Sequence, residues 1–316
     1  MPPDSFGFFQ DVLTQFANII AQWQVQIFGL GTPIFWGLAF IELGLIGALA
    51  ILRRDATAIV DDLVRGVVAI GVAFWLFQHG ADFAKNGVVA TLSLWGSMAG
   101  SVPADSLDPG SVMKSGFTLA ATLLKALAAG HWLLMPVSDL VVLLCAIVIT
   151  ICFAWTAITL LEVLIESYVA CVGGTIFIPL AATRFSYRLL EVWISWVLSV
   201  AVRLWFIYAI LGVGIHLVND WTTQIQNNAS LITGNLVFPI ETAIEAGIFV
   251  MMITRIPTHA GRLVSGAVTS AFGEAMLGRT AAAAAQAAPQ IASAAASAVG
   301  QAVGDIGRTV DTMLLS

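Results

Sequence analysis

The stretch "LVVLLCAIVITICFAWTAITLL", which follows Asp139, contains no charged side chain. About 20 apolar residues are enough for a helix to cross the roughly 30 Å of bilayer hydrocarbon. The rest of the chain does not favour a soluble core around this stretch, because only 10% of its residues are charged and 59% are hydrophobic. Soluble domains carry about 25% charged residues. The sequence therefore predicts an all-α, polytopic membrane protein.

Candidate spans recur along the chain. Proline 33 opens the first of them, and the Arg53-Arg54 pair closes it. The N-terminus has no basic region before its apolar residues, so we expect no cleaved signal peptide and expect insertion to follow from the first span. The candidates are 33–52, 63–81, 140–161, 166–185, 189–218 and 236–254.

Arginines in short loops give the orientation, because such loops are enriched in Lys and Arg on the cytoplasmic side. The topology charges are Arg53, Arg54, Arg184, Arg188 and Arg255, with Arg65 and Arg262 nearby. If all of them are cytoplasmic, residues 137–183 can make only one net crossing. That region is too long for one ordinary span.

The residues Gly173, Gly174 and Pro179 offer a solution. Glycine is flexible and proline lacks a backbone donor, so these residues predict a broken or re-entrant segment. Irregular backbone at membrane depth requires protein or water around it. We therefore expect about five transmembrane helices plus this segment, with the N-terminus outside and the C-terminus inside. The alternative is six plain spans with one arginine cluster outside.

Residues 1–30 form a separate region in this interpretation, an amphipathic helix on the outer side. Its apolar stripe has helical spacing. The opposite face has no Lys or Arg, which a lipid-surface anchor would normally show. Packing against a neighbouring subunit and lying on the bilayer therefore both remain open. The stripe consists of Phe9, Leu13, Phe16, Ile20 and Trp23.

Two further regions complete the expected organisation. The transmembrane domain spans 31–256 and contains an outer insert, 82–136, rich in loop and turn residues. The insert includes "GSMAG" at 96–100, which fits G-x-x-x-G but which we discount because it falls in an apparent loop. Residues 257–316 form an Ala-rich cytoplasmic tail with helical propensity and few large side chains.

An ionisable residue at the centre of a span raises the free energy of membrane insertion by about 2.5–3.5 kcal/mol on insertion scales. Such residues should face the protein or a water-filled path, and Arg203 paired with Glu42 or Glu245 is the simplest arrangement. They either line a path or lock the protomer as structural ion pairs. These residues are Glu42, Arg203, Glu241 and Glu245. Glu166 lies nearer a span end and is expected at the interface.

No motif for catalysis is found. The sequence has no phosphate-binding loop, no nucleophile elbow and no metal-spaced histidines. The three cysteines lie in apolar runs without metal-ligand neighbours. A net charge of −6 gives no basic stripe for nucleic acid. We expect no enzyme activity, no metal and no cofactor, although a bound phospholipid is compatible with the composition.

Three segments resemble the TrbL family, the polytopic inner-membrane subunit of conjugative type IV secretion systems. They are "LDPGSVMKSGFTLA" (107–120), "GGTIFIPLAATRFSYRLLEVWISWVLSVAVRLWFIYAILGVG" (173–214) and "FVMMITRIPTHAGRLVSG" (249–266). The likeness covers about residues 30–270 and is carried by the order and spacing of glycines, prolines and small residues.

The resemblance implies a non-catalytic platform in the bacterial inner membrane. It implies a homo-oligomeric ring that supports pilus and stalk assembly and substrate transfer, with the outer side being the periplasm. Its partners would be other copies, a periplasmic stalk or minor pilin, further secretion subunits and lipids. The N-terminal stripe would contact neighbours or the stalk. A secondary solute transporter, which also uses broken helices, and a purely structural envelope anchor remain alternatives.

Overall fold

The structure is a computed structural model that describes residues 7–53, 56–103, 107–129, 136–183, 187–227 and 236–276. Its described residues form helices and connections without any β-strand. The α-helices are α1 (Phe8–Arg53), α2 (Ala56–Asp82), α3 (Ala90–Ala99), α4 (Pro109–Ala129), α5 (Pro136–Val172), α6 (Tyr187–Asn227) and α7 (Val237–Met276). The all-α prediction is confirmed.

Among the residues that the structure describes, five helical segments are long and apolar enough to cross a membrane, as the sequence predicted. Four of them run for 37 to 44 residues. An α-helix of 40 residues is about 60 Å long, roughly twice the hydrocarbon thickness. These helices must therefore tilt strongly or extend beyond the bilayer. They are Phe8–Ala48, Leu63–Ala99, Asp139–Ala182, Arg188–Asn227 and Val237–Val264.

Helix α1 joins the N-terminal amphipathic region to the first span without a break. Pro33 lies inside this helix and does not begin it. Proline removes one backbone donor, but membrane helices tolerate this because neighbouring groups satisfy the freed carbonyl. The N-terminal stripe and the first span consequently belong to one continuous helix of 46 residues.

Residues 83–99 are helical, although they fall in the insert that the sequence described as rich in loop and turn residues. Helix α2 continues through a π-helical segment, Phe83–Val89, into α3. Helix α3 ends at Ala99, Gly100 is its C-cap, and Ser101 follows with a left-handed φ of 56°. The N–H of Val102 donates to Ser97 O at 3.2 Å and that of Ser101 to Met98 O at 3.0 Å. These are the two hydrogen bonds of a Schellman helix end.

The glycines of "GSMAG" pack against α6. A methyl group on Gly96 would lie 2.6 Å from Trp205 O, and one on Gly100 would lie 2.8 Å from Gly212 Cα. Both obstacles are backbone atoms, which cannot swing aside. The G-x-x-x-G pattern therefore serves a close contact of two helices within the chain, and it lies in a helix and its C-cap where the sequence predicted a loop.

A second misinterpreted segment, "DPGS", begins α4. The Asp108 carboxylate accepts a hydrogen bond from the Ser111 backbone N–H at 3.2 Å. Aspartate at the N-cap followed by proline at the first helical position is a strong helix start. Helix α4 then packs along α5, and the main core is formed by residues of α2, α4, α5, α6 and α7. Phe153 of α5 stacks on Phe249 of α7 there, with ring centroids 6.1 Å apart.

Candidate functional site

The broken segment, residues 173–182, is where α5 stops being an α-helix. Two 3₁₀ turns follow Val172, Gly173–Phe177 and Pro179–Ala182. The N–H of Ile178 donates to Thr175 O at 3.1 Å, and the Thr175 hydroxyl donates to Val172 O at 2.5 Å. The chain thus continues as a tighter helix that satisfies part of its own backbone. The predicted break near Gly173–Pro179 is confirmed.

Protein surrounds most of this segment. Gly174, Thr175 and Ile178 are buried, with Ile178 fully inaccessible. On its far side, Ala182 packs with Phe35 of α1 and Ala73 of α2. Irregular backbone inside a membrane protein needs such a covering. The segment is therefore a buried joint between α5, α1 and α2.

Trp193 of α6 fills the space that the break opens. A methyl group on Gly174 would overlap the Trp193 ring, and one on Gly80 of α2 would lie 3.1 Å from it. The indole N–H donates to Ala170 O at 2.9 Å. That carbonyl is in the last turn of α5, where carbonyls lose helical partners. Trp193 therefore both packs on the joint and caps the end of α5.

Four side chains of α6 lie on one side of the helix and form what we call the polar seam. They are spaced three, three and four residues apart, as a helix face requires. Three of them reach α5. Arg203 Nη1 binds Glu166 Oε2 at 2.5 Å, and Trp196 Nε1 contacts Glu166 Oε1 at 3.5 Å. Trp193 donates to Ala170 O of the same helix. The seam consists of Trp193, Trp196, Ser199 and Arg203.

The polar seam also contacts α7. The Ser199 hydroxyl donates to Gly261 O at 3.0 Å, and the aliphatic part of Arg203 lies against the same glycine. The polar seam therefore connects α5, α6 and α7. Its contact on α5, Glu166, lies two turns before the broken segment. Arg203 Nε is buried and has no hydrogen-bond partner, so this junction carries an uncompensated polar group.

The pairing expected for Arg203 was wrong. Its partner is Glu166, which the sequence placed at an interface, instead of Glu42 or Glu245. The two paired side chains are 22% and 29% exposed, so the pair is neither fully screened nor fully desolvated. The register of α5 against α6 sets this pairing, and nothing in either local sequence reveals it.

The other predicted intramembrane charges lie apart from this junction. Glu42 is 4% exposed. Glu241 and Glu245 are exposed on α7, one turn apart, inside a candidate span. Of these three carboxylates, one is therefore buried and two are exposed.

The N-terminal stripe is divided in the structure. Ile20 is buried against Ala81 and Val172 of the same chain, and Phe9 packs on the main core. Leu13 is half-buried, whereas Phe16 and Trp23 are 41% and 42% exposed. Two of the five residues are thus clearly open to another molecule.

The structure describes only some of the arginines that were used to predict the topology. Arg188 and Arg255 are exposed. Only the backbone of Arg53 is described, while Arg54 and Arg184 lie outside the described residues. Within the described ranges, no group of three or more His, Cys, Asp or Glu side chains could hold a metal ion.

One feature had no sequence signal that we recognised. The π-helical segment turns Lys85 so that its ammonium group lies 5.2 Å from the Tyr168 ring centroid. Isolated π-helical turns are often found at functional sites. The pair adds an electrostatic contact between this segment and α5, near the seam.

These features define a multi-pass helical membrane protein with a buried helix break and a polar junction beside it. The sequence profile of the TrbL/VirB6 plasmid conjugal transfer proteins matches residues 39–256. The chain belongs to this family, which confirms the resemblance seen in the sequence.

Two curated relatives agree with this assignment. The chain is 24% identical over 208 residues to a conjugal transfer protein TrbL of Rhizobium radiobacter. It is also 24% identical over 208 residues to a probable conjugal transfer protein TrbL of Sinorhizobium fredii (strain NBRC 101917 / NGR234). Each alignment covers 64% of this chain and 51% of the relative, so the chain matches about half the length of these proteins.

Proposed function

We propose that this chain is an inner-membrane platform subunit of a conjugative type IV secretion system. The observation that carries the proposal is the family match over residues 39–256, which includes most of the five candidate spans. The two curated relatives are named as conjugal transfer proteins, which supports a role in that machinery. The subunit assembles as a homo-oligomeric ring, supports the pilus and its stalk, and assists substrate transfer.

Two exposed carboxylates support the ring. Glu245 lies near the middle of the apolar run that starts α7, and Glu241 lies one turn before it. A carboxylate facing lipid at that depth costs about 2.5–3.5 kcal/mol on insertion scales. In a ring, this side of α7 faces a neighbouring copy or a water-filled centre, which removes most of that cost. Arg203 and Glu42, which face the protein, hold the protomer together.

The N-terminal part of α1 supports contacts outside the bilayer. Its 46 residues extend for about 69 Å, so more than half of the helix lies beyond a 30 Å hydrocarbon layer if the helix stands upright. Phe16 and Trp23 are exposed on this part. They provide apolar anchors for a neighbouring subunit or a periplasmic stalk protein.

The first test is a mating assay with donor cells that lack the chain. We expect transfer to recipients to fall below detection and to return when the gene is supplied in trans. A variant with Glu245 replaced by Leu tests the ring, since it should reduce transfer without changing the amount in the membrane. Donors that transfer normally without the chain would refute the proposal, and uptake of a small solute would favour a transporter.

A further inference from the structure

The starting point is the part of α7 that follows Pro257. Pro257 lies within the helix and is buried. It has no N–H, so the helical hydrogen bond to Ile253 O is missing. Proline positions are where long helices bend. The last five turns of α7 are therefore joined to the first five by a weakened link.

Gly261, one turn after this link, fixes the far part of α7 to α6. The Ser199 hydroxyl donates to Gly261 O at 3.0 Å. A methyl group on Gly261 would lie 2.8 Å from Arg203 Cγ and 2.9 Å from Arg203 Cδ. Glycine is therefore what allows the α7 backbone to lie directly on the Arg203 side chain.

This contact positions the Arg203 guanidinium group. Its aliphatic part is held by Gly261, and its Nη1 reaches Glu166. Nε stays buried and unpaired. The closed arrangement therefore leaves one donor of Arg203 unsatisfied.

We propose that Pro257–Gly261 is a conformational latch. When it is closed, α7 holds Arg203 on Glu166, and Trp196 supports the same carboxylate. When α7 bends at Pro257, Arg203 is released and Glu166, two turns before Gly173, loses its partner. The latch thereby transmits bending of α7 at Pro257 to the broken segment. Its effect on transfer rests on the proposed function, whereas its opening does not.

A reversible disulfide tests the latch. The Cβ of a residue at 261 would lie 2.9 Å from Ser199 Oγ, so cysteines at both positions fall within disulfide reach. The variant is S199C/G261C, with Cys145, Cys152 and Cys171 replaced by alanine. Because the added Cβ at 261 also meets Arg203 Cγ at 2.8 Å, the reduced form of the same variant is the reference for transfer. A protease site inserted between residues 228 and 235 reports the bond, because the two fragments stay joined only when it has formed.

We expect copper phenanthroline to join the fragments in membranes and a reductant to separate them. Donors carrying the closed disulfide should transfer at least tenfold less often than the same donors after reduction. The single variants S199C and G261C should show no dependence on oxidant. Failure of the fragments to join would contradict the contact, and unchanged transfer with the bond formed would show that the latch need not open.

A second variant forces the latch open. Gly261→Leu places a large side chain against Arg203, whereas Gly247→Leu on the same helix is a matched control with nothing within 4 Å of its added Cβ. Only the first should raise the labelling rate of a cysteine at position 199 and lower transfer tenfold at equal protein level. Equal behaviour of the two variants would overturn the latch. Normal transfer from donors without the gene would instead refute the proposed function and leave the labelling result standing.

Discussion

The sharpest structural prediction concerns Gly174, where α5 breaks. Replacing it with alanine adds one methyl group, which would overlap the five-membered ring of Trp193 and lie 2.5 Å from its Nε1. Both residues are buried, and Trp193 is only 2% exposed. The indole therefore has to move, and moving it breaks its hydrogen bond to Ala170 O.

The magnitude follows from these contacts. Overpacking a tight site costs about 1–3 kcal/mol, and losing one hydrogen bond adds roughly 1 kcal/mol. The higher helix propensity of alanine relative to glycine offsets at most about 1 kcal/mol of this loss. We expect Gly174→Ala to lower the free energy of unfolding by about 1–3 kcal/mol. At roughly 2–4 °C for each kcal/mol, the melting temperature should fall by about 2–12 °C.

The assay is the fraction of purified protein that remains monodisperse by size-exclusion chromatography after heating in mild detergent. Gly37→Ala is the matched control, because nothing lies within 4 Å of its added Cβ. It should leave the melting temperature unchanged or raise it slightly. Trp193→Leu in the Gly174→Ala background should lose less than the sum of the single changes. If Gly174→Ala behaves as Gly37→Ala does, the packing account of the break is wrong.

Four further changes test other parts of the structure. Arg203→Leu leaves Glu166 without its charge partner and should cost about 1–3 kcal/mol, less than a fully buried pair, measured by the same heating assay; unchanged stability would show the pair to be incidental. Ser101→Gly relieves a left-handed backbone and should raise stability by about 0.5 kcal/mol, whereas a decrease would contradict that helix end. Gly100→Val forces α3 away from α6 and should cost more than about 3 kcal/mol or prevent accumulation in the membrane; normal yield would argue against the close contact. A cysteine at Ser186 should react with a membrane-impermeant maleimide only from the cytoplasmic side, and labelling of intact cells would reverse the topology.

Local sequence chemistry predicted the break but not its surroundings. Gly173, Gly174 and Pro179 weaken a helix wherever they occur, so their effect can be recognised from the chain alone. The partner of that break is Trp193, and its fit against Gly174 depends on how α5 and α6 align in space. No periodicity within either helix contains that information.

The same distinction explains the errors. Pro33 and the "GSMAG" stretch carry residues that interrupt helices in soluble proteins. Here Pro33 lies within α1, and "GSMAG" lies in α3 apart from Gly100, which caps the end of that helix. In a membrane, leaving backbone groups unpaired is so costly that helices continue through such residues. Small side chains then become contact points, as Gly96 does against Trp205. The Arg203–Glu166 pair was missed because it depends on the register between two helices of about 40 residues.

The domain limits remain predictions, although the helices inform them. The limit at residue 30 falls inside α1, and the limit at 257 falls inside α7. Helices therefore run through both limits, as one would expect if regions outside the bilayer are continuations of the spans. Proteolysis of membrane vesicles would show which parts of these helices are accessible on each side.

The central claim is that copies of this chain form a ring within a conjugative secretion system. Native mass spectrometry of the complex purified from donor membranes in mild detergent tests it most directly. The account predicts a homo-oligomer whose mass is a multiple of 33.4 kDa, with other transfer proteins attached. A single chain of 33.4 kDa, purified in mild detergent from donor cells that transfer normally, would contradict it.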